Sequence, residues 1–491
     1  MGLLQSIFGS KPAPVPRRMA IRGSYDAAKT HDQNRRHWAN ADYLSADSAG
    51  RSEIRKILRS RSRYEFENNP YARGIAHTMA NYVIGQGPRL QVLTTDTEAN
   101  GEIERIFYRW AQATKLAQKL RTARISQVIS GDVFLQIFNN PKISAQGLPA
   151  IDINLIEADQ VETPWAYMDD ETIIDGVKID KYGNPVAYMI LNSHPGDNKV
   201  FNAHEAEPLP ASKVIHMFRA DRPGQHRGIP ELAAAIETFA QLRRYMQAVL
   251  SAAERAAEVS MYFKTDAPPG EGAQVADDGT ELGSLPAIEP RRNEAVFLPE
   301  GWEPFQLKAE QPTAEFAATV HQYLAEIGRV LQIPAMIVTG DASNHNFASG
   351  RLDYQAFLKM IDVDRADYSG QCLDPIFDMW LADARMVDGL LPEAAMSERV
   401  QRQWYWPGIE HIDELKAANA ARVRVESGQS SIATENARSG YDWEEQQRQQ
   451  ADCLGMTIEE YRSRLADKLL GAPAKIETDT EDDDEEPNKK A

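Results

Sequence analysis

Cysteine is scarce: Cys372 and Cys453 are the only two in 491 residues. Two thiols cannot build a disulfide framework or a cysteine-rich zinc site, and this usage fits buried thiols in a reducing compartment. No uninterrupted apolar run approaches 18 residues, which excludes a transmembrane helix. Within Met1–Gly23 the apolar stretch is only about six residues long, too short for a signal-peptide core. Met1-Gly2 with Ser6 fits the bare myristoylation pattern, which recurs often by chance. The common catalytic signatures are missing too. There is no G-x-x-x-x-G-K-[ST] phosphate loop, so ATP hydrolysis by that route is excluded, and no G-x-S-x-G elbow. His204-Glu205 runs into Ala206-Glu207-Pro208 and cannot form a helical H-E-x-x-H pair. Gly85-Gln86-Gly87 lacks a third glycine and closes a helix where a dinucleotide fold needs a preceding strand. The ten histidines are scattered, so a zinc site would need long-range pairing. The sequence therefore reads as a non-enzyme without cofactor or metal.

The net charge of −18 is unevenly distributed. Residues 1–63 hold thirteen Lys/Arg against five Asp/Glu, a net of +8. The tail from Ala474 carries −5, which leaves −21 for residues 64–473. A body this acidic argues against a protein that grips nucleic acid through its phosphates. The basic start fits a solvated arm or one that docks on nucleic acid, membrane or an acidic partner.

Length alone suggests about three domains. Helical periodicity runs from Arg51 to Glu67, with Ile54, Ile57 and Leu58 on one face, and again from Tyr71 until the Gly85-Gln86-Gly87-Pro88 stop. A short strand at Leu90–Leu93 precedes helices over Asn100–Lys115 and Leu116–Ser130. The period then changes. Val133–Phe138, Ile151–Ile156, Ile173–Ile179, Val186–Leu191 and Val214–Phe218 read as antiparallel strands, with a hairpin at Lys181–Pro185. Pro230 is placed to open the longest helix, running to Glu258. Strands are expected at Val259–Lys264, Ala295–Leu298 and Trp302–Leu307, around a segment rich in Gly, Pro and Asp. Pro312 opens a returning helix that ends before Pro334. A polar loop, Gly340–Gly350, leads to a third long helix from Arg351 towards Met386. A strand at Gln401–Pro407 and a helical region from Asp413 to Leu470, broken near Gly428–Ser431, complete the body. The acidic tail is expected to be disordered. The fold class is α+β, mostly α.

Several residue groups have both a bland and a functional reading. His216 on its strand is a core histidine or a ligand. Asp169-Asp170-Glu171 is an exposed turn or a metal cluster. Trp404-Tyr405-Trp406 is a buried aromatic strand or a base-stacking platform. Arg291-Arg292 is a rim ion pair or a phosphate contact. Asn344-His345-Asn346 is a plain surface loop or a weak DNA contact.

The order of parts is the distinctive feature: strand domain, long helix, small strand insert, returning helix, polar loop, third helix. Asn68-Asn69-Pro70-Tyr71-Ala72-Arg73 leading to Val83-Ile84-Gly85-Gln86-Gly87, and Trp110 in its helix, carry one part of a resemblance. Asp175-Gly176-Val177 with Asp180-Lys181-Tyr182-Gly183-Asn184-Pro185, then Val214-Ile215-His216 through Arg222-Pro223-Gly224-Gln225 and Arg227-Gly228-Ile229-Pro230, carry the rest. Together they resemble the lambda-type portal family of tailed bacteriophages, over residues 30–460.

That resemblance implies a dodecameric ring at one capsid vertex, in the virion and, during assembly, in the host cytoplasm. The ring nucleates head assembly with major capsid and scaffold proteins. It docks the terminase large subunit and later the head-completion and tail connector proteins. It passes double-stranded DNA without sequence specificity and touches no membrane. Residues 1–30, outside the resemblance, are expected to be a flexible arm; mapped onto this chain, 31–229 is the first part of the wing and 230–258 the first stem helix. Residues 259–311 are the clip, 312–332 the second stem helix and 333–350 the tunnel loop. The third helix and remaining wing span 351–410, the crown 411–470 and the acidic tail 471–491. On this map Glu315 and Glu326 line the channel. Asn344, His345 and Asn346 face DNA. Asp277, Asp278, Glu281, Arg291 and Arg292 face partners. An acidic wall suits a conduit that must repel phosphates rather than hold them. Competing readings are a nucleic-acid-binding adaptor working through residues 1–63 and a hydrolase using paired acidic residues.

Overall fold

The computed structural model of the protein describes residues 32, 34–197, 206–258, 262–265, 302–305, 315–343, 346–396, 400–408 and 414–470. A short turn of helix, α1 (Ala46–Ala49), precedes α2 (Ser52–Asn68) and α3 (Pro70–Val83). Asn69 separates these two helices. Its side chain accepts from the Tyr71 N–H while Pro70 takes the first helical position, where no donor is wasted. Strand β1 (Arg89–Val92) leads to α4 (Thr97–Ala113), capped by Asp96, and to α5 (Leu116–Ser130).

Two small antiparallel sheets follow. The first is ordered β3-β2-β8, from β2 (Asp132–Asn139), β3 (Ile151–Glu157) and β8 (Val214–Phe218), with a helical turn α6 (Pro141–Ser144) between β2 and β3. The second runs β4-β5-β6-β7, from β4 (Ile173–Ile174), β5 (Val177–Ile179), β6 (Pro185–Leu191) and β7 (Ala206–Pro210). The expected single strand Ile173–Ile179 is instead a tight hairpin, because Asp175 and Gly176 both take positive φ and reverse the chain. Phe134, Ile156, Val161, Val177, Tyr188, Ile190 and Val214 form a satellite core between the sheets.

The long helix α7 (Ile236–Glu258) begins six residues after Pro230, not at it. Arg124 of α5 holds Glu231 by two bonds at 2.8 and 3.0 Å, and the Leu232 N–H reaches Val128, so these residues dock on α5 before the helix can start. The pair β9 (Tyr262–Thr265) and β10 (Trp302–Phe305) is antiparallel. The expected strand Ala295–Leu298 lies outside the described residues. Next come α8 (Phe316–Val330), α9 (Ala335–Thr339) and α10 (Phe347–Tyr368). The third long helix thus starts at Phe347, four residues before the expected Arg351, and a π-helical segment Ser369–Leu373 joins it to α11 (Asp374–Ala384). Strand β11 (Arg402–Tyr405) pairs with β1 across more than 300 residues. The last described part is helical: α12 (Glu414–Glu426), α13 (Ile432–Arg438), α14 (Trp443–Leu454) and α15 (Ile458–Leu470).

The main core gathers α3, α4, α5, the start of α7, α8, α10 and α11. Its centre is aromatic. Phe107 sits 5.1 Å from Trp380 in edge-to-face geometry, and Phe377 stacks on Trp380 at 5.6 Å. Trp404 and Trp406 pack against this core and donate to Asp374 and to Ser369, so the aromatic strand is structural. Cys372 is buried at the π-segment, where burial pushes its thiol up to about 12. Cys453 on α14 is exposed, which corrects the expectation that both thiols are buried.

Candidate functional site

Helices α7 and α8 run antiparallel. The short 3-10 turn Ala233–Ala235 ahead of α7 meets α8, and Tyr245, nearly three turns further along, stacks on Phe316 at the start of α8 at 5.8 Å. Leu324, Ile327 and Gly328 form the buried face of α8. A Cβ on Gly328 would lie 2.6 Å from the Ile333 carbonyl, so only glycine lets the chain fold back into α9. The expected site residues Glu315 and Glu326 lie eleven residues apart, within about 20° of the same helical face and roughly 16 Å apart along the axis. Both are exposed. Between them Gln322 donates to Glu326 at 3.1 Å, and Arg329 continues the exposed face one turn on. The stripe is polar with two carboxylates, not uniformly acidic.

Of the three loop residues, Asn346 is the N-cap of α10 and accepts from the Ser349 N–H at 2.8 Å. Asn344 and His345 lie outside the described residues. Half of the expected tunnel loop 333–350 is helical, since α9 and the first turn of α10 fall inside it. Asp277, Asp278, Glu281, Arg291 and Arg292 also lie outside the described residues.

Behind the helices, at the junction of α2 and both sheets, is a charge cluster that the sequence patterns did not reveal. Arg227 has no exposed surface. Its guanidinium donates to Asp132 at 2.6 Å and to the carbonyls of Val161, Asp175 and Ala158 at 2.8, 2.5 and 2.9 Å. It also lies over the Phe134 ring at 5.1 Å. Burial would raise the Asp132 carboxyl, but Arg227 and His216 outweigh it and hold it well below the ordinary carboxylate range. His216 is sandwiched between Phe134 and Phe218, 3.4 Å from Asp132. Burial lowers its pKa against the pull of Asp132, and its place between two rings fits the core reading. Gly131, at φ 93°, makes the approach possible: a Cβ there would meet the Ile229 carbonyl carbon at 2.5 Å. Asp175, His216 and Arg227 all fall in the segments that carry the family resemblance, but nothing in their spacing joins them.

The cluster also reverses the expected orientation of α2. Arg55 pairs with Asp175, and Arg59 with Asp159 at 3.1 Å. Arg55 and Arg59 are each 2% exposed, while of the expected apolar face Ile54 and Ile57 are 38% and 51% exposed and Leu58 is half-buried. Glu157, Asp159 and His194 could by spacing hold a metal ion. Arg63 instead lies 2.6 Å from Asp159 and 3.2 Å from Glu157. His194 Nδ1 accepts from the Gly196 N–H, which leaves its proton on Nε2, facing the carboxylates. This is the chemistry of an ion-pair cluster. Asp169 and Glu171 are exposed, and Asp170 binds its own turn through Thr172, as the exposed-turn reading requires.

The family model for phage portal proteins of the lambda family matches residues 32–365, about two thirds of the chain. The chain belongs to this family. The match spans the Arg227 cluster, the α7–α8 pair and Asn346, and stops before α11–α15. A probable portal protein of Halomonas phage phiHAP-1 is 26% identical over 475 residues, with 88% of this chain and 86% of that protein covered. Among solved structures, a chain in the virion of a native gene transfer agent particle aligns with 78% of this portal-family chain and 92% of its own length, at 14% identity and a TM-score of 0.43. A chain from the neck of the native particle, in C12 symmetry, gives 15% identity and a TM-score of 0.41 over the same shares.

Proposed function

We propose that copies of this chain assemble into a dodecameric ring at one capsid vertex, which nucleates the head, docks the terminase large subunit and conducts double-stranded DNA during packaging and ejection. Family membership supports this reading, and the observation that carries it within the molecule is the exposure of α7. The helix buries Ile236, Phe239 and Leu242 in its first two turns and no described side chain beyond them. Met246 and Leu250 stand 40% and 59% exposed further along. A helix of about 35 Å whose described side chains are buried only in its first two turns gains from neighbours, and a ring supplies them.

In this reading α7 and α8 form the stem, residues 259–311 the clip and α12–α15 the crown. The exposed stripe Glu315–Gln322–Glu326 faces the bore. Asn344, His345 and Asn346 touch DNA in passing, while Asp277, Asp278, Glu281, Arg291 and Arg292 meet the terminase and then the connector proteins. The chain is structural, and the terminase supplies ATP hydrolysis. Major capsid and scaffold proteins surround the ring in the virion. No described helix is long and apolar enough to cross a membrane.

Negative-stain class averages of purified protein test the ring directly. Central-pored particles are expected; monomers that bind DNA through residues 1–63 would replace this reading with the adaptor. Glu315→Lys with Glu326→Lys should leave ring assembly intact and impair packaging or DNA retention. Unchanged retention would remove these residues from the bore. Deletion of 342–347 should likewise spare the ring and reduce packaging.

A further inference from the structure

A cleft of about 1200 Å³ opens where β1 and α4 meet the start of α14. Part of its wall is apolar: Leu93 and Tyr108 are both exposed there, and Trp443 lines it as well. Glu98, Glu104, Asp442, Glu444 and Glu445 also line it, and none of them sits in an ion pair among the described residues. The single ion pair within the cleft joins Glu102 to Arg105, at a loose 3.9 Å. Arg89 and Arg448 leave the lining acidic on balance. Glu104 shows the strain of this arrangement. Burial, with Asp442, Glu444 and Glu445 adding to it, raises its carboxyl to about 7, opposed by the hydrogen bond from the Val92 N–H.

The same chain carries a complement. Residues 1–31 hold Lys11, Arg17, Arg18, Arg22 and Lys29 against the single acid Asp26. They also carry Leu3, Leu4, Ile7 and Phe8, suited to the apolar wall. Extended, a segment of this length reaches about 100 Å. We propose that the cleft between α4 and α14 is the docking site of this basic segment. Lysine and arginine neutralise the converging carboxylates, and the leading apolar residues cover Leu93 and Tyr108. The segment then clamps the terminal helices to the β1–α4 unit, adding to the Gln91–Asp442 bond. The inference concerns contacts within and between copies and does not depend on DNA conduction.

Zero-length carbodiimide cross-linking of the full-length protein, read by peptide mass spectrometry, tests it. Lys11 and Lys29 should couple to Glu98, Glu102, Glu444 or Glu445, and mixed isotope-labelled chains show whether the link is within one copy or between two. Glu98→Lys with Glu445→Lys, both exposed, should lower the yield about tenfold, as loss of charge complementarity requires. Adding Arg17→Glu and Arg18→Glu should restore it, since a charge swap re-pairs the two faces. Arg17→Glu and Arg18→Glu alone, at positions outside the described residues, should also reduce the yield. Links spread over the acidic surface, links confined to the acidic tail, or a yield indifferent to these substitutions would overturn the proposal.

Discussion

Around Arg227 the chain buries charge and pairs it, although Arg59 keeps two guanidinium nitrogens without a hydrogen-bond partner; along α7 and α8 it leaves both charge and apolar surface in the open. In the first region Arg227, Asp132, Asp175, Arg55, Arg59 and Asp159 pair across α2 and two sheets with almost no solvent contact. In the second, Met246 and Leu250 are exposed, and Glu315 and Glu326 have no ion pair among the described residues. The contrast separates what a subunit needs alone from what it reserves for others. A buried ionic cluster fixes the mutual placement of elements without help, because removing any one member strands a charge in low dielectric. An exposed helix pair with mixed apolar and acidic faces has no such self-sufficiency.

The predictions press on this contrast, beginning with the largest effect. Arg227→Met strands Asp132 in the interior and should cost about 3–5 kcal/mol of subunit stability. A lowered thermal transition and loss of soluble protein report it. Adding Asp132→Asn should recover part of the loss, since the uncompensated charge is then gone. A single variant that melts like wild type would show that the cluster does not hold α2 and the two sheets together. Gly131→Ala should come next, about 1–3 kcal/mol, because the added methyl meets backbone at a positive φ. Its melting curve should fall between those of Arg227→Met and wild type.

Glu104 gives a pH-dependent intermediate case. Its pKa is about 7 in the fold against an ordinary 4.5, so the folded state holds its proton more tightly than the unfolded chain. The associated loss of stability is absent below about pH 4.5, grows as pH rises and is complete above about pH 7. Its ceiling is about 3 kcal/mol at 1.36 kcal/mol per unit. Glu104→Gln should flatten this dependence and protect the amides of β1 and α14 from hydrogen exchange at pH 8. The smallest effect on the subunit itself is expected from Met246→Ser with Leu250→Ser. Melting should move by no more than about 0.5 kcal/mol, while the fraction of protein in rings falls. Intact rings would return α7 to the self-sufficient class.

Much of the frame is legible from periodicity. The helices around Ile103 and Phe107, the strands at Val133 and Val214, and the helix through Leu324 and Ile327 all announce themselves by local spacing. What escaped depends on partners distant in sequence. Ile54 and Ile57 look like the buried face of α2, but Arg55 and Arg59 find Asp175 and Asp159 more than a hundred residues away, and no local pattern records that pairing. Pro230 looks like a helix start, yet Arg124 captures Glu231 and delays the helix to Ile236. Strand β7 is nearly invisible because Pro208 and Pro210 suppress the strand pattern, and it survives as a sheet edge where missing N–H groups are tolerated. Of the site residues, Glu315 and Glu326 share a face as helical spacing requires. Asn346 proves to be a cap, because a polar residue at a helix entrance satisfies the local backbone first.

The unequal burial of the two cysteines makes the natural sequence a counting device. At neutral pH the Cys372 thiol is both enclosed and almost fully protonated, whereas Cys453 is open to solvent on α14. A maleimide dye should therefore mark each subunit once, without engineering. Stepwise photobleaching of single particles then reads the number of chains per assembly one fluorophore at a time.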